Sequence, residues 1–175
     1  MKLPTLATLA LLTASPAAAE VISSSPNGLE VREVVPLVVP PNVAFYAFTQ
    51  LPAWWDPVHT YSGKSENLSF DANPGGCWCE RFPDGGGIEH MRIVHVDPGK
   101  RIVLTGSLGP ALYQATTGVM DVTVKSTAAG SQLTIDYRLS GFFNGGGDKA
   151  APQIDQVLAQ LAKRLRAFAT ARPKT

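Results

Sequence analysis

The sequence predicts an α+β fold: a curved antiparallel sheet of six to seven strands wrapped around a long C-terminal helix, with two short helices after the first strand. Three observations lead there. Between Asn67 and Ser140 short β-type segments recur, separated by Gly- and Pro-containing turns. Before them lies a stretch of helical spacing broken at proline. After Gly145-Gly146-Gly147 the pattern changes to a long amphipathic helix.

Leu29 to Val39 (LEVREVVPLVV) is rich in Val and reads as the first strand, with Pro36 marking an edge position or a bulge. Pro40-Pro41-Asn42 stops it. Val43 to Leu51 has apolar residues at helical spacing, and Pro52 breaks it before Trp54-Trp55, giving two short helices in tandem. Strands are then expected at Asn67–Asp71, Cys77–Phe82, Ile88–Val96, Arg101–Gly106, Thr116–Lys125 and Gln132–Ser140. Their separators, such as Pro83-Asp84-Gly85 and Asp97-Pro98-Gly99, are turn-formers, so the run reads as an antiparallel meander. In the last segment Asp148 is the expected cap. Ile154, Val157, Leu158, Leu161, Leu165 and Phe168 form one apolar face, and Lys163, Arg164 and Arg166 lie toward the C-terminal end, where the helix dipole favours cations.

The N-terminus has a separate character. Met1-Lys2 leads into an apolar run from Leu3 to Ala14, too short to span a bilayer, and Ala17 and Ala19 supply the A-x-A pattern of a signal-peptidase site. Residues 1–19 are therefore expected to be a secretory signal peptide and residues 20–175 a single domain, periplasmic or secreted after cleavage near Ala19. Lys2 leaves with the signal, so fourteen basic residues face fourteen acidic ones in the remaining 156. A neutral chain without a basic run excludes an electrostatic footprint for nucleic acid and a polybasic hold on anionic lipid. The expected partner is an apolar small molecule. No stable membrane insertion and no cofactor are expected.

The order of strand, two short helices, meander and terminal helix is that of the helix-grip fold. The stretches PGGCWCE (Pro74 to Glu80), HMRIVHVDPGKRIVLTGSLGP (His90 to Pro110) and APQIDQVLAQLAKRL (Ala151 to Leu165), with Trp54-Trp55 and His59, resemble the SRPBCC (START-like, Bet v 1-like) superfamily. The likeness is to the branch related to the activator of the heat-shock-protein-90 ATPase, and it extends over nearly all of Leu29 to Leu165. It implies a cavity between sheet and terminal helix, the usual kind of place for a ligand. A co-chaperone role ranks last, because an exported chain meets neither ATP nor a cytosolic chaperone.

Several side chains could carry chemistry. Cys77 and Cys79 are the only cysteines. In a regular strand residues i and i+2 lie roughly 6.5–7 Å apart, at the limit for a bridge, so two packed thiols or a readily reduced pair are expected. If the following hairpin pivots about Gly85, Glu80 faces His90, Trp78 faces Arg92 and Cys79 faces Met91. A slip of one residue puts His90 across from Cys79. Glu80 with His90 is then a candidate acid–base pair or a cross-strand hydrogen bond, and Cys77, Cys79 and Met91 a candidate soft-metal or redox group. His90 and His95 should point to opposite faces. His59 reads as a packing or capping histidine. Of Trp54 and Trp55 one should be in the core and the other at a cavity mouth. The glycine triplet reads as a flexible hinge.

The leading expectation is an exported binding protein that holds a hydrophobic or lipid-like molecule, lined by Trp54, Trp55, Tyr113, Tyr137, Phe142 and Leu158. Tyr113 and Tyr137 would each bring a hydroxyl to a polar end. The alternatives are an enzyme of cyclase, dehydratase or hydrolase type using Glu80 and His90, and the soft-metal or redox protein.

Overall fold

The computed structural model describes residues 19–171, so the predicted signal segment lies outside the described residues up to position 18. Eight strands form one antiparallel sheet: β1 (Ala19–Ser25), β2 (Gly28–Leu37), β3 (Leu68–Phe70), β4 (Cys77–Arg81), β5 (Gly87–Asp97), β6 (Arg101–Gly106), β7 (Thr116–Thr127) and β8 (Gly130–Gly141). Their spatial order is β1-β2-β8-β7-β6-β5-β4-β3. The meander from β3 to β8 follows the sequence reading. Its last strand returns beside β2 and pairs with it from Gly28↔Ser140 to Leu37↔Ser131. The sequence reading is one strand short, because β1 forms a hairpin with β2 through Pro26-Asn27. Among the described residues the pairing of β1 reaches Glu33, and Pro36 pairs with Gln132 of β8 on the other side of β2.

Helices α1 (Pro41–Thr49) and α2 (Leu51–Trp54) connect β2 to β3, and α3 (Gly147–Thr170) closes the chain. The break between α1 and α2 falls at Gln50, and Pro52 occupies the first turn of α2, where its missing N–H is harmless. α3 packs on β1 and β2 and also touches α1 and α2. Its inward face carries Ala151, Leu158, Leu161, Ala162, Leu165 and Ala169, all buried. From the sheet, alternate residues are buried in the same interior: Leu29, Val31, Val35 and Leu37 on β2, and Leu133, Ile135, Tyr137 and Leu139 on β8, the latter strand packing against α1.

Two expectations at the start of α3 are corrected. The N-cap is Gly146, with no side-chain cap, and Asp148 lies in the first turn. Within the glycine triplet, Gly147 is a packing contact rather than part of a flexible hinge, while Gly145 is exposed. Gly147 is buried, its N–H donates to Pro26 O at 2.9 Å, and a Cβ there would stand 2.7 Å from Ser25 O. The helix can rest on the β1–β2 turn only because that position has no side chain.

Candidate functional site

Because α3 lies toward the β1–β2 side of the sheet, a space stays open beside its N-terminal half. It is a cavity of about 600 Å³, walled by α3, the segment from Trp55 to Tyr61, the 3-10 turn Gly109–Tyr113, Tyr137 of β8, and Phe143. That volume falls within the range of about 300–1,000 Å³ usual for small-molecule sites. From α3 come Ala150, Gln153, Ile154, Val157, Leu158 and Leu161. These are aliphatic apart from Gln153, as expected where two of the helix's apolar ridges leave the sheet.

Polar side chains enter mainly from the wall opposite α3, with His59, Thr60, Tyr61, Tyr113, Gln114 and Tyr137. Tyr137 is almost fully buried, and its hydroxyl accepts the Leu108 N–H at 2.9 Å. Burial pushes the Tyr137 phenol well above its usual pKa, with the Leu108 hydrogen bond opposing, so it remains a neutral hydroxyl at physiological pH. Tyr61 spans the mouth: its hydroxyl donates to Gly109 O at 2.8 Å, and its ring stands edge-on to Tyr113 with centroids 5.9 Å apart. His59 lines the wall, and its main-chain oxygen accepts Trp55 Nε1 at 3.1 Å.

The rim segment is held from behind. Glu80, 1 % exposed, accepts the N–H groups of Tyr61 (3.1 Å) and Ser62, and receives His90 Nε2 at 3.0 Å. Burial raises the Glu80 pKa, but the hydrogen bonds from Ser62, Tyr61 and His90 outweigh it and hold the carboxyl below its usual range. Burial lowers His90, and the attraction of Glu80 opposes this only in part. The pair is thus a carboxylate and a neutral imidazole that donates from Nε2. Neither lines the cavity.

The expected contact of Glu80 with His90 is present, but the register around it is split, with Cys77 and Trp78 following the one-residue slip and Cys79 and Glu80 shifted one residue further. The ladder pairs Cys77↔Arg92, Trp78↔Met91, Cys79↔Glu89 and Glu80↔Ile88, which leaves His90 as the extra residue of a bulge on β5. The bulge puts His90 and Met91 both in the interior, where a regular strand would alternate. His95 is exposed, so the two histidines do stand apart.

Cys77 and Cys79 are joined in a disulfide, with a Cα–Cα distance of 5.4 Å. Of the two expected states, packed thiols or a bonded pair, the structure has the bonded pair, and β4 is shortened here below a regular strand's spacing, beside the bulge. The soft-metal trio is not assembled. Met91 is buried beside Trp78, while the cysteines alternate onto the outer face of the sheet.

Among the expected lining residues, Trp55, Tyr113, Tyr137 and Leu158 reach the cavity. Trp54 and Trp55 are both little exposed to solvent, at 3 % and 6 %, and of the two only Trp55 lines the cavity, which is the expected division between core and cavity. Trp54 lies behind the wall, its Nε1 donating to Phe48 O at 3.3 Å. Phe142 is 70 % exposed and does not line the cavity. Phe143, 7 % exposed, takes that place. Phe143 continues the inward phase of Leu133, Ile135, Tyr137 and Leu139, and Gly141, at φ 136°, ends β8 without changing it. Tyr61 carried no signal in the sequence, because its position depends on Glu80 nineteen residues on.

The family described as Activator of Hsp90 ATPase homolog 1-like protein matches residues 38–166. No curated protein matches the chain. Similar solved structures include a protein from Mesorhizobium loti, with TM-score 0.60 and 19 % identity, covering 82 % of this chain and 98 % of that one. One from Chromobacterium violaceum has TM-score 0.58 and 22 % identity, covering 84 % and 100 %. One from Rhizobium leguminosarum has TM-score 0.61 and 18 % identity, covering 90 % and 100 %. At these identities the likeness shows the fold.

Proposed function

The chain belongs to the Activator of Hsp90 ATPase homolog 1-like family, with the Bet v 1-like fold that generally binds hydrophobic ligands, and from that premise we propose that it is a carrier or sensor for one apolar molecule with a single polar end. The observation that carries this reading is the cavity of about 600 Å³ beside α3, apolar along the helix and furnished with the Tyr137 hydroxyl. Leu108 N–H uses an acceptor site of that hydroxyl, which leaves its own proton for an acceptor on the ligand. A lipid-like carbonyl or carboxylate compound fits that pattern.

An acid–base enzyme is less well supported. Both oxygens of Glu80 are occupied in holding the rim segment, and the pair stands outside the cavity wall. We further propose that the protein is exported. The A-x-A pattern before Glu20 supports this, and a disulfide suits an oxidising compartment. Native mass spectrometry of protein purified from its own host tests the carrier reading. An added mass of one small organic molecule, released by solvent extraction, is expected; protein that carries none and takes up none from a total lipid extract contradicts it.

A further inference from the structure

We propose that the Cys77–Cys79 bridge is an exchangeable redox site, opened by a dithiol, whose state sets the rim of the ligand cavity. The cavity half of this rests on the carrier reading above. The bridge joins residues two apart, so the ring it closes contains only Cys77, Trp78 and Cys79. A loop that short removes little conformational freedom from the unfolded chain, and stabilising the fold is a poor account of it.

The surroundings suit exchange. Both cysteines are half-buried on the outer face of β4, away from α3, where a thiolate can approach. A Glu89 carboxylate oxygen lies within 4.8 Å of the sulfurs. Its charge is met by Arg92, which also donates to Gly75 O at 2.8 Å and stands opposite Cys77 in the ladder. The ion pair with Arg92 offsets the Glu89 charge, which alone would disfavour the thiolate that leaves when the bridge opens. In the reaction one thiolate of the dithiol attacks a sulfur of the bridge, forming a mixed disulfide and releasing a cysteine thiolate. The dithiol's second thiol then displaces the other cysteine. The dithiol ends as a disulfide, having given two electrons and two protons, and Cys77 and Cys79 end as thiols.

The inner face shows where the change is felt. The residue between the cysteines, Trp78, is 1 % exposed and meets Trp55 edge-to-face at 4.4 Å, and Trp55 lines the cavity. Trp78 is also 5.8 Å from the ring of His90, the bulge residue that bonds Glu80, which in turn holds Tyr61 and Ser62 at the mouth. The bridge keeps the Cα atoms of Cys77 and Cys79 5.4 Å apart. An extended strand spaces such residues by about 6.6–6.8 Å. Opening the bridge lets β4 lengthen under Trp78, and a close-packed interior takes up a shift of that size by repacking.

The test equilibrates the native protein with reduced and oxidised dithiothreitol in varied ratio. It reads the thiol count, tryptophan emission and the Kd of a naphthalene-sulfonate probe. Two thiols are expected to appear without denaturant, with a reversible shift in emission and a Kd change of more than twofold. Cys77→Ser/Cys79→Ser should reproduce the reduced values. Thiols that appear only after unfolding, or emission and Kd that stay within twofold and unshifted in both the reduced protein and the double variant, overturn the proposal. If the probe binds in neither state, the carrier reading fails on its own, and the thiol count and the tryptophan shift decide the redox site.

Discussion

Glu80 and His90 meet at 3.0 Å although Glu80 stands opposite Ile88 in the β4–β5 ladder. The bulge at His90 makes the contact, and the contact ties two strands to the loop that forms the cavity mouth. Glu80 is accordingly a positioning residue, and its replacement should act through Tyr61 and Ser62. Glu80→Ala leaves two main-chain donors and an imidazole without their acceptor. It should cost about 2–4 kcal/mol by chemical denaturation and also weaken probe binding, whereas Glu80→Gln, which keeps a carbonyl acceptor, should recover part of both. A Glu80→Ala protein as stable as the parent would contradict this role.

The same pair sets an acid limit. His90 and Glu80 both have folded pKa values below their ordinary ones, so the stability they confer is present above those ordinary values and is lost as the pH falls. Melting measured from pH 7.5 downward should show a decline beginning near pH 6.5, the ordinary histidine value, and His90→Gln should flatten that part of the curve. An unchanged decline in the variant would place its cause elsewhere.

Glu33 works in the opposite direction. It is 1 % exposed on β2 under α3, and its pKa is raised to about 7, by burial first and then by Asp155 of α3, with Lys163 opposing. Glu20 of β1 is the further charge nearby, acting on Asp155. A raised carboxyl favours the fold below pH 4.5, and that advantage is lost as the pH rises to 7. The cost of ionising Glu33 at pH 8 is then on the order of 3 kcal/mol. Glu33→Gln should therefore stabilise the protein at pH 8 and change little at pH 4. Equal effects at both values would show that Glu33 does not titrate as the structure implies. The acid limb of His90 is best measured in this background, where the two trends no longer oppose.

The elements that sequence reveals well here are those whose pattern is local. The Ile154–Leu165 face repeats every turn, and the β3–β8 segments are bounded by their own turn residues. Harder to read were features set by distant partners. β1 offers only Val21 and Ile22 before a serine run, and it is a strand because β2 templates it. The bulge at His90 splits the hairpin between two registers, with only Cys77 and Trp78 in the one-residue slip, and beside it Cys77 and Cys79 stand closer than a regular strand sets them. The choice of Phe143 over Phe142, by contrast, is legible, since Phe143 keeps the inward period-2 phase of Leu133, Ile135, Tyr137 and Leu139. Arg164 of α3 reaches the Trp54–Trp55 corner from far along the chain, donating from Nε to Trp54 O at 2.9 Å, a contact no local pattern announces.

Export makes a direct prediction. N-terminal sequencing of the protein from the periplasmic or secreted fraction should begin at Glu20. Protein recovered from the cytosol with Met1 retained would contradict it.

The central claim is that the space beside α3 binds an apolar molecule, and titration with a naphthalene-sulfonate or fluorescent fatty-acid probe tests it most directly. Trp55 lies in the wall and should transfer energy to the bound probe. Leu158, buried on α3 and lining the cavity, is the control position. The account predicts saturation at one or two sites per chain, and a loss of about 1–3 kcal/mol in Leu158→Trp, where the larger side chain fills the cavity. Absence of saturable binding, or binding that Leu158→Trp leaves unchanged while the fold is intact, would contradict it.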